Sequence, residues 1–391
     1  MARSFESELT DLQEQGLLRR VRTFDSPQAI LMKCDGREII NFSSNDYLGL
    51  ADSDLLKTAA KTALDEFGSG SGSSRLVCGT LAPHAQLEAA LARFKNTRAA
   101  LSFSSGYAAA VGTLSALCHE GDVIILDKLC HASLIDGARL SGAFIRVFPH
   151  LHYDKLESHL KWARKSYPDA RIVVATESVF SMDGDCSPLV PIVELKNRFD
   201  ALLLLDEAHA IGVLGKNGRG LAFDQGVEKD VDIHMGTLSK ALGAAGGYIC
   251  GSQALVDFLI NRARSFIYST APSPVVAAAA KAAVEFLQTS EGEQRRQLLW
   301  QNIQLMEREL PRSIQDRTKY SSAILPLILG SSQRALAIAD ALLDEGFLVP
   351  AIRYPTVARD SARLRITLTA THSRDQISAL CKTLNAIYAK L

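Results

Sequence analysis

The chain has 391 residues, 47% hydrophobic and 22% charged, and its 43 basic and 43 acidic side chains cancel. That balance, without a long run of like charges, gives no electrostatic case for nucleic acid or an anionic membrane as partner and leaves small molecules. Seven cysteines, odd in number and without a CxxC pair, argue against a disulfide framework or a structural zinc site and fit a reducing cytoplasm.

The opening MARSFESELTDLQEQGLLRR mixes both charges at helical spacing and lacks the apolar core of a signal peptide, so residues 1–40 are expected to form a helix and a short extended segment. From about 99 to 251, short β-rich runs (AALSFS, DVIIL, FIRVF, RIVVAT, ALLLLD, GGYICG) alternate with helical patterns. This alternation predicts a mainly parallel sheet in a large α/β domain over residues 41–280. None of these runs approaches the roughly 20 residues of a membrane helix. After Pro274 an Ala-rich helical pattern leads to ILPLIL, FLVPAI and RLRITL alternating with helices, a smaller C-terminal α/β domain over 281–391. A parallel sheet presents its ligand at the carboxyl ends of the strands, so the loops leaving them are where chemistry is expected.

Those loops carry a consistent set of side chains. LLLLDEAHAIG (202 to 212) ends an apolar strand in an acid, and GTLSKALGAAGG (236 to 247) follows with a lysine among small neighbours. A pyridinium electron sink needs a carboxylate near its ring nitrogen, which Asp206 can supply, while His209 can reach the ring's phenolic oxygen. A lysine that forms a Schiff base must release its proton readily, and desolvation by small, weakly polar neighbours favours this at Lys240. Taken singly, Asp206 reads as a turn carboxylate and Lys240 as a surface lysine; together, in this order, they read as a cofactor cradle. FSSGYAAAVGTL (103 to 114) breaks from strand to helix at Ser-Ser-Gly, so the amides of Gly106 and Tyr107 can meet a phosphate, with Thr237 and Ser239 adding hydroxyls. A plain helix cap reads the same way. His131 follows another strand exit and offers a flat ring that could stack on a pyridine, a satisfied core histidine being the bland alternative. Glu177 and Ser181 leave a further strand facing the same expected site.

Read together, NFSSNDYLGL (41 to 50), GSGSGSSRLVCGT (68 to 80), HASLIDG (131 to 137), TESVFSMDGD (176 to 185), DEAHAIGVLG (206 to 215) and the Lys240 segment resemble the α-oxoamine synthases along nearly the whole chain. These are fold-type I pyridoxal 5′-phosphate enzymes that condense an amino acid with an acyl thioester and lose carbon dioxide. The resemblance implies a large domain with a mainly parallel seven-stranded sheet plus the smaller C-terminal domain. It makes Lys240 the Schiff-base lysine and general base, stacks His131 on the cofactor, pairs Asp206 with its ring nitrogen, and sets His209 and Ser181 around its phenolic oxygen. It also implies a homodimer with the active site at the subunit interface, since YSTAPSP (268 to 274) matches a segment that lends a phosphate contact across it, here Thr270. Within the family, AIRYPTVARDSARLRITLTATHS (351 to 373) looks most like the members that take L-alanine and a pimeloyl thioester on coenzyme A or acyl carrier protein. Aminolevulinate synthases have an asparagine where Arg353 stands. Arg19, Asn45, Arg353, Thr356 and Arg365 then fall to substrate binding. Arg20 and Arg22 compete with Arg19 in that role. Cys130 and Ala110 depart from residues common in relatives without removing a catalytic group, while Ser73 and Cys78 stand where glycine and serine are common, a change that bears on how the glycine-rich loop closes over the acyl chain.

Other readings fare worse. GSGSGSS (68 to 74) follows a helical pattern, contrary to a dinucleotide fingerprint, and adjacent Ser239 and Lys240 point in different directions, contrary to a Ser-Lys hydrolase. His150 and His152 lack a third ligand and read as surface or loop residues, so no metal is expected. A non-catalytic regulator would be expected to have lost Lys240.

Overall fold

The computed structural model describes residues 4–310 and 321–388. They form two compact units: residues 4–44, 182–184, 299–310 and 321–388 in one, and residues 45–181 and 185–298 in the larger other. In chain order the strands begin with β1 (Leu31–Cys34) and β2 (Arg37–Asn41) of the smaller unit. The larger unit contributes β3 (Ala99–Phe103), β4 (Val123–Asp127), β5 (Phe144–Phe148), β6 (Ile172–Glu177), β7 (Leu202–Asp206), β8 (Ile233–Thr237) and β9 (Gly247–Gly251). The smaller unit resumes with β10 (Ile324–Gly330), β11 (Phe347–Leu348), β12 (Ala351–Ile352) and β13 (Ala362–Thr367).

The larger unit is built on a seven-stranded sheet in the order β3-β9-β8-β7-β6-β4-β5, parallel except for β9, which pairs antiparallel with both neighbours. Strands β4, β6 and β7 are buried on both faces. That is why they read as continuous apolar runs rather than alternating ones. β5, at the edge, leaves most of its side chains accessible and carries Arg146, whose guanidinium lies over Trp162, a charge that discourages edge pairing. β8 has no comparable apolar signature, because IHMGT buries a histidine as its second residue.

That histidine belongs to a buried polar cluster. Lys95 and Glu207, both without accessible side-chain surface, form an ion pair, and His234 Nδ1 lies 3.5 Å from the same carboxylate. Lys95 Nζ also donates to the Arg219 carbonyl at 2.6 Å, and Glu207 accepts the Ala222 amide at 3.1 Å. Gly220 sits so close that a Cβ there would lie 2.3 Å from Glu207 Oε1. Although burial disfavours its charge, the cation and these donors hold the Glu207 carboxyl down at about 2.

In the smaller unit β10, β13 and β12 form one antiparallel sheet, while β1, β2 and β11 form another. FLVPAI, which reads as one strand, is split between the two sheets at Pro350, where a missing N–H ends the ladder. Among the described residues no helix is long and apolar enough to cross a membrane.

Lys95→Met should destabilise the protein by about 3–5 kcal/mol by stranding a buried carboxylate. Lys95→Met with Glu207→Leu should recover most of that loss, read as urea midpoints of both variants beside the parent.

Candidate functional site

The chain leaves β4 toward β5 on one side of the sheet and returns to β6 on the other, so the crevice beyond the carboxyl ends of β4 and β6 is the switch point where open α/β sheets take ligands. Several expected residues converge around these strand ends. Beyond β4, His131 caps the helix Ala132–Ser141 and its amide donates to Glu177 Oε1 at the end of β6. Its Nδ1 accepts the Ser133 amide at 3.3 Å and bonds the Ser133 hydroxyl at 2.8 Å, which leaves Nε2 to carry the proton. The ring stays exposed, while the protein around it desolvates the charged form and lowers its pKa, Asp206 opposing and Lys240 reinforcing that shift.

Glu177 and Asp206 are register partners on β6 and β7, both buried. Burial raises both carboxyls, Glu177 the more, and each feels the positive charge of Lys240 as an opposing influence. Asp206 Oδ1 accepts the Ala208 amide at 2.8 Å, and its main-chain carbonyl accepts both the amide and the hydroxyl of Ser178. Ser181 stands half-buried just beyond.

Lys240 lies on the loop after β8, where Leu238 N donates to Gly246 O and Gly243 N to Lys240 O. Its Nζ is 2.7 Å from His209 Nε2. Beside it, Thr237 Oγ1 is 2.7 Å from Ser239 Oγ, and a Cβ on Gly106 would lie 3.4 Å from the Thr237 side chain. Gly106 opens the helix Gly106–Leu117, with Ser105 as its N-cap. At Gly247 a Cβ would come within 2.6 Å of Gly106, so only glycine lets β9 pass this turn. A helix N-terminus with adjoining hydroxyls is thereby formed.

Other expected residues stand elsewhere. The Tyr107 hydroxyl donates to Asp136 Oδ2 at 2.8 Å, leaving its main chain in the first helical turn. Thr270 is exposed and bridges antiparallel to Ser74 of the glycine-rich segment. In the smaller unit Arg19 Nη2 donates to Thr356 Oγ1 at 3.2 Å, and Arg353 donates to the carbonyls of Gly16 and Leu18. Arg365 is buried with its Nη1 2.9 Å from Thr367 Oγ1. Asn45 accepts from Tyr47, a buried phenol to which the sequence reading gave no role although it lies within NFSSNDYLGL.

His150 lies in the turn after β5, a loop residue as read from the sequence, but not a surface one. It is partly buried and donates from Nδ1 to Asp127 Oδ1 at 3.0 Å and from Nε2 to Asp185 Oδ2 at 2.8 Å, stacked edge-on against Phe180. The signal was the pair of acids flanking it in three-dimensional space, distant in sequence. His152, by contrast, is an exposed helix N-cap, accepting from the Lys155 amide.

A family model described as aminotransferase class I and II matches residues 37–384. The 8-amino-7-oxononanoate synthase of Geobacter sulfurreducens is 46% identical over 377 residues, covering 96% of each chain. Among solved structures, a variant of serine palmitoyltransferase from S. paucimobilis with a bound PLP–myriocin aldimine matches with a TM-score of 0.91 and 29% identity, covering 98% of this chain and 96% of that one. The 8-amino-7-oxononanoate synthase of Francisella tularensis matches with a TM-score of 0.75 and 30% identity, over 90% of this chain and 99% of that one.

The residues present fit pyridoxal phosphate. The Gly106 turn with Thr237 and Ser239 suits its phosphate, buried Asp206 suits a cationic ring nitrogen, and the exposed His131 ring is open for stacking.

With both nitrogens donating, His150 is an imidazolium, its pKa raised to about 9 by Asp127 and Asp185 against the opposing effect of burial; Tyr153 also faces this pair of acids. Its contribution to stability, on the order of 3 kcal/mol at most, is full below the ordinary histidine pKa and is lost as pH rises through about 9. His150→Gln should flatten the fall in melting temperature between pH 7 and pH 9.5 seen in the parent, as read by calorimetry.

Proposed function

We infer the reaction from one premise: the chain belongs to the aminotransferase class I and II family and, within it, to the α-oxoamine synthases. It is a pyridoxal-phosphate acyltransferase that performs the 8-amino-7-oxononanoate synthase reaction of biotin formation. L-Alanine and a pimeloyl thioester give 8-amino-7-oxononanoate, carbon dioxide and the free thiol. The observation that carries this reading is Lys240 Nζ held 2.7 Å from His209 in a unit whose β7 ends in buried Asp206.

The cofactor supplies the electron sink that accepts the pair left when a bond to the alanine α-carbon breaks. Lys240 would hold it covalently through Nζ and would serve as the base for the alanine α-proton. Asp206 keeps the ring nitrogen protonated. His131 would stack on the ring and, with Nδ1 committed to Ser133, would offer Nε2–H to the thioester carbonyl. Gly106, Tyr107, Thr237 and Ser239 anchor the phosphate, and Ser181 and His209 meet the phenolic oxygen. Asn45, Arg19, Arg353, Thr356 and Arg365 bind substrate, with the Arg365 guanidinium suited to a carboxylate.

A homodimer completes the site through Thr270. Supporting this, the surface around the Ser74–Thr270 bridge exposes Val77 and Tyr268, 77% and 71% accessible, an unusual cost for a monomer. All seven cysteines are free thiols, in keeping with work in the cytoplasm.

With the cofactor bound, L-alanine and pimeloyl-CoA should release carbon dioxide, and glycine or L-serine should serve poorly. Lys240→Ala should lose the visible absorbance band and about 10³-fold or more of the rate. Sedimentation should report a dimer, and Thr270→Ala should weaken cofactor retention. Preference for glycine would move the chain to a sister reaction.

A further inference from the structure

Asn45, Tyr47, His209 and Lys240 form one hydrogen-bonded line inside the larger unit. The Tyr47 hydroxyl, with no accessible surface on its residue, is 3.2 Å from Asn45 Oδ1 and 2.5 Å from His209 Nδ1; His209 Nε2 is 2.7 Å from Lys240 Nζ. The direction of every proton follows from the Asn45 end. An amide oxygen only accepts, so the Tyr47 O–H donates to it. A phenol has a single proton, and with that proton spent the Tyr47 oxygen must accept from His209, so Nδ1 carries the hydrogen. A neutral imidazole has one N–H, and therefore Nε2 presents its lone pair to Lys240, which donates.

We propose that Tyr47 is a positioning residue for the reaction: held by Asn45, it fixes His209 as the Nδ1–H tautomer and so keeps an acceptor nitrogen at Lys240. The consequence concerns the proton that Lys240 must shed before its nitrogen can be taken up covalently. The Nζ–H bond breaks, an Nε2–H bond forms, both electron pairs stay on nitrogen, and the resulting imidazolium still donates from Nδ1 to Tyr47. His209, an acceptor in the free protein, thereby becomes a donor at Nε2, the atom expected to meet the phenolic oxygen of the ring. The tautomer stands on the geometry alone; its use in catalysis rests on the pyridoxal-phosphate reading.

Two readouts separate these. In the cofactor-free full chain labelled with 15N-histidine, long-range 15N–1H spectra, with His209 assigned by its loss in His209→Gln, should show Nδ1 protonated and Nε2 bare. Asn45→Ala keeps the phenol but frees its proton, so Tyr47 can donate to Nδ1 and the tautomer should reverse; Tyr47→Phe should leave a mixture. On mixing with pyridoxal phosphate, both variants should develop the visible band about tenfold more slowly than the parent, with the final amplitude retained. A parent His209 protonated at Nε2, or a tautomer and band rate unmoved in both variants, would overturn the proposal. A parent that never develops the band would overturn the cofactor reading and leave the tautomer result standing.

Discussion

A carboxylate with no water around it needs a cation, and the end of β7 carries two carboxylates in succession. Glu207 finds Lys95 and is held as an anion. Asp206, next to it in the chain, is raised by burial, an effect that the charge of Lys240, the Ala208 amide and His131 oppose. The first pair is internally satisfied and fixes the strand end. The second is poised for a positive group brought from outside, and a protonated ring nitrogen is such a group.

The rest of the site is arranged around that strand end. Glu177, in register with Asp206, accepts from the main chain of His131, so the loop bearing that ring is tied to the strand beside the one that ends in Asp206. His150 ties the exit of β4 to Asp185 in the same way, with a full charge between two acids. Tyr47 and Asn45 orient His209 from a third direction. Each functional side chain is thus held by a second polar group, which is how a loop acquires the precision that catalysis by orientation requires.

Much of the candidate site was legible in the sequence because its residues lie at strand exits, and strand exits are marked by the change from apolar run to Gly, Ser, Asp and His. Asp206, His209, Lys240 and His131 are of that kind. Tyr47 was not legible, since a tyrosine in a mixed segment gives no sign of burial or of the partner it will meet far along the chain. β8 was missed for a related reason: its buried histidine breaks the apolar pattern, and its polar partners, the Glu228 carbonyl and the Glu207 carboxylate, lie elsewhere in the chain. Pro350 shows the converse, a run that reads as one strand but is divided between two sheets by a missing donor.

By itself, then, the sequence determined the parallel α/β core, the strand exits that carry the candidate lysine and acid, and the resemblance that gives the reaction, because these depend on local patterns of apolar burial and on motifs contiguous in the chain. Only the tertiary structure decided which polar groups pair: Lys95 with Glu207, His150 with two acids, and Tyr47 with His209. Such pairings join residues far apart in sequence, and their energies arise from burial and distance, quantities that exist only once the chain has folded.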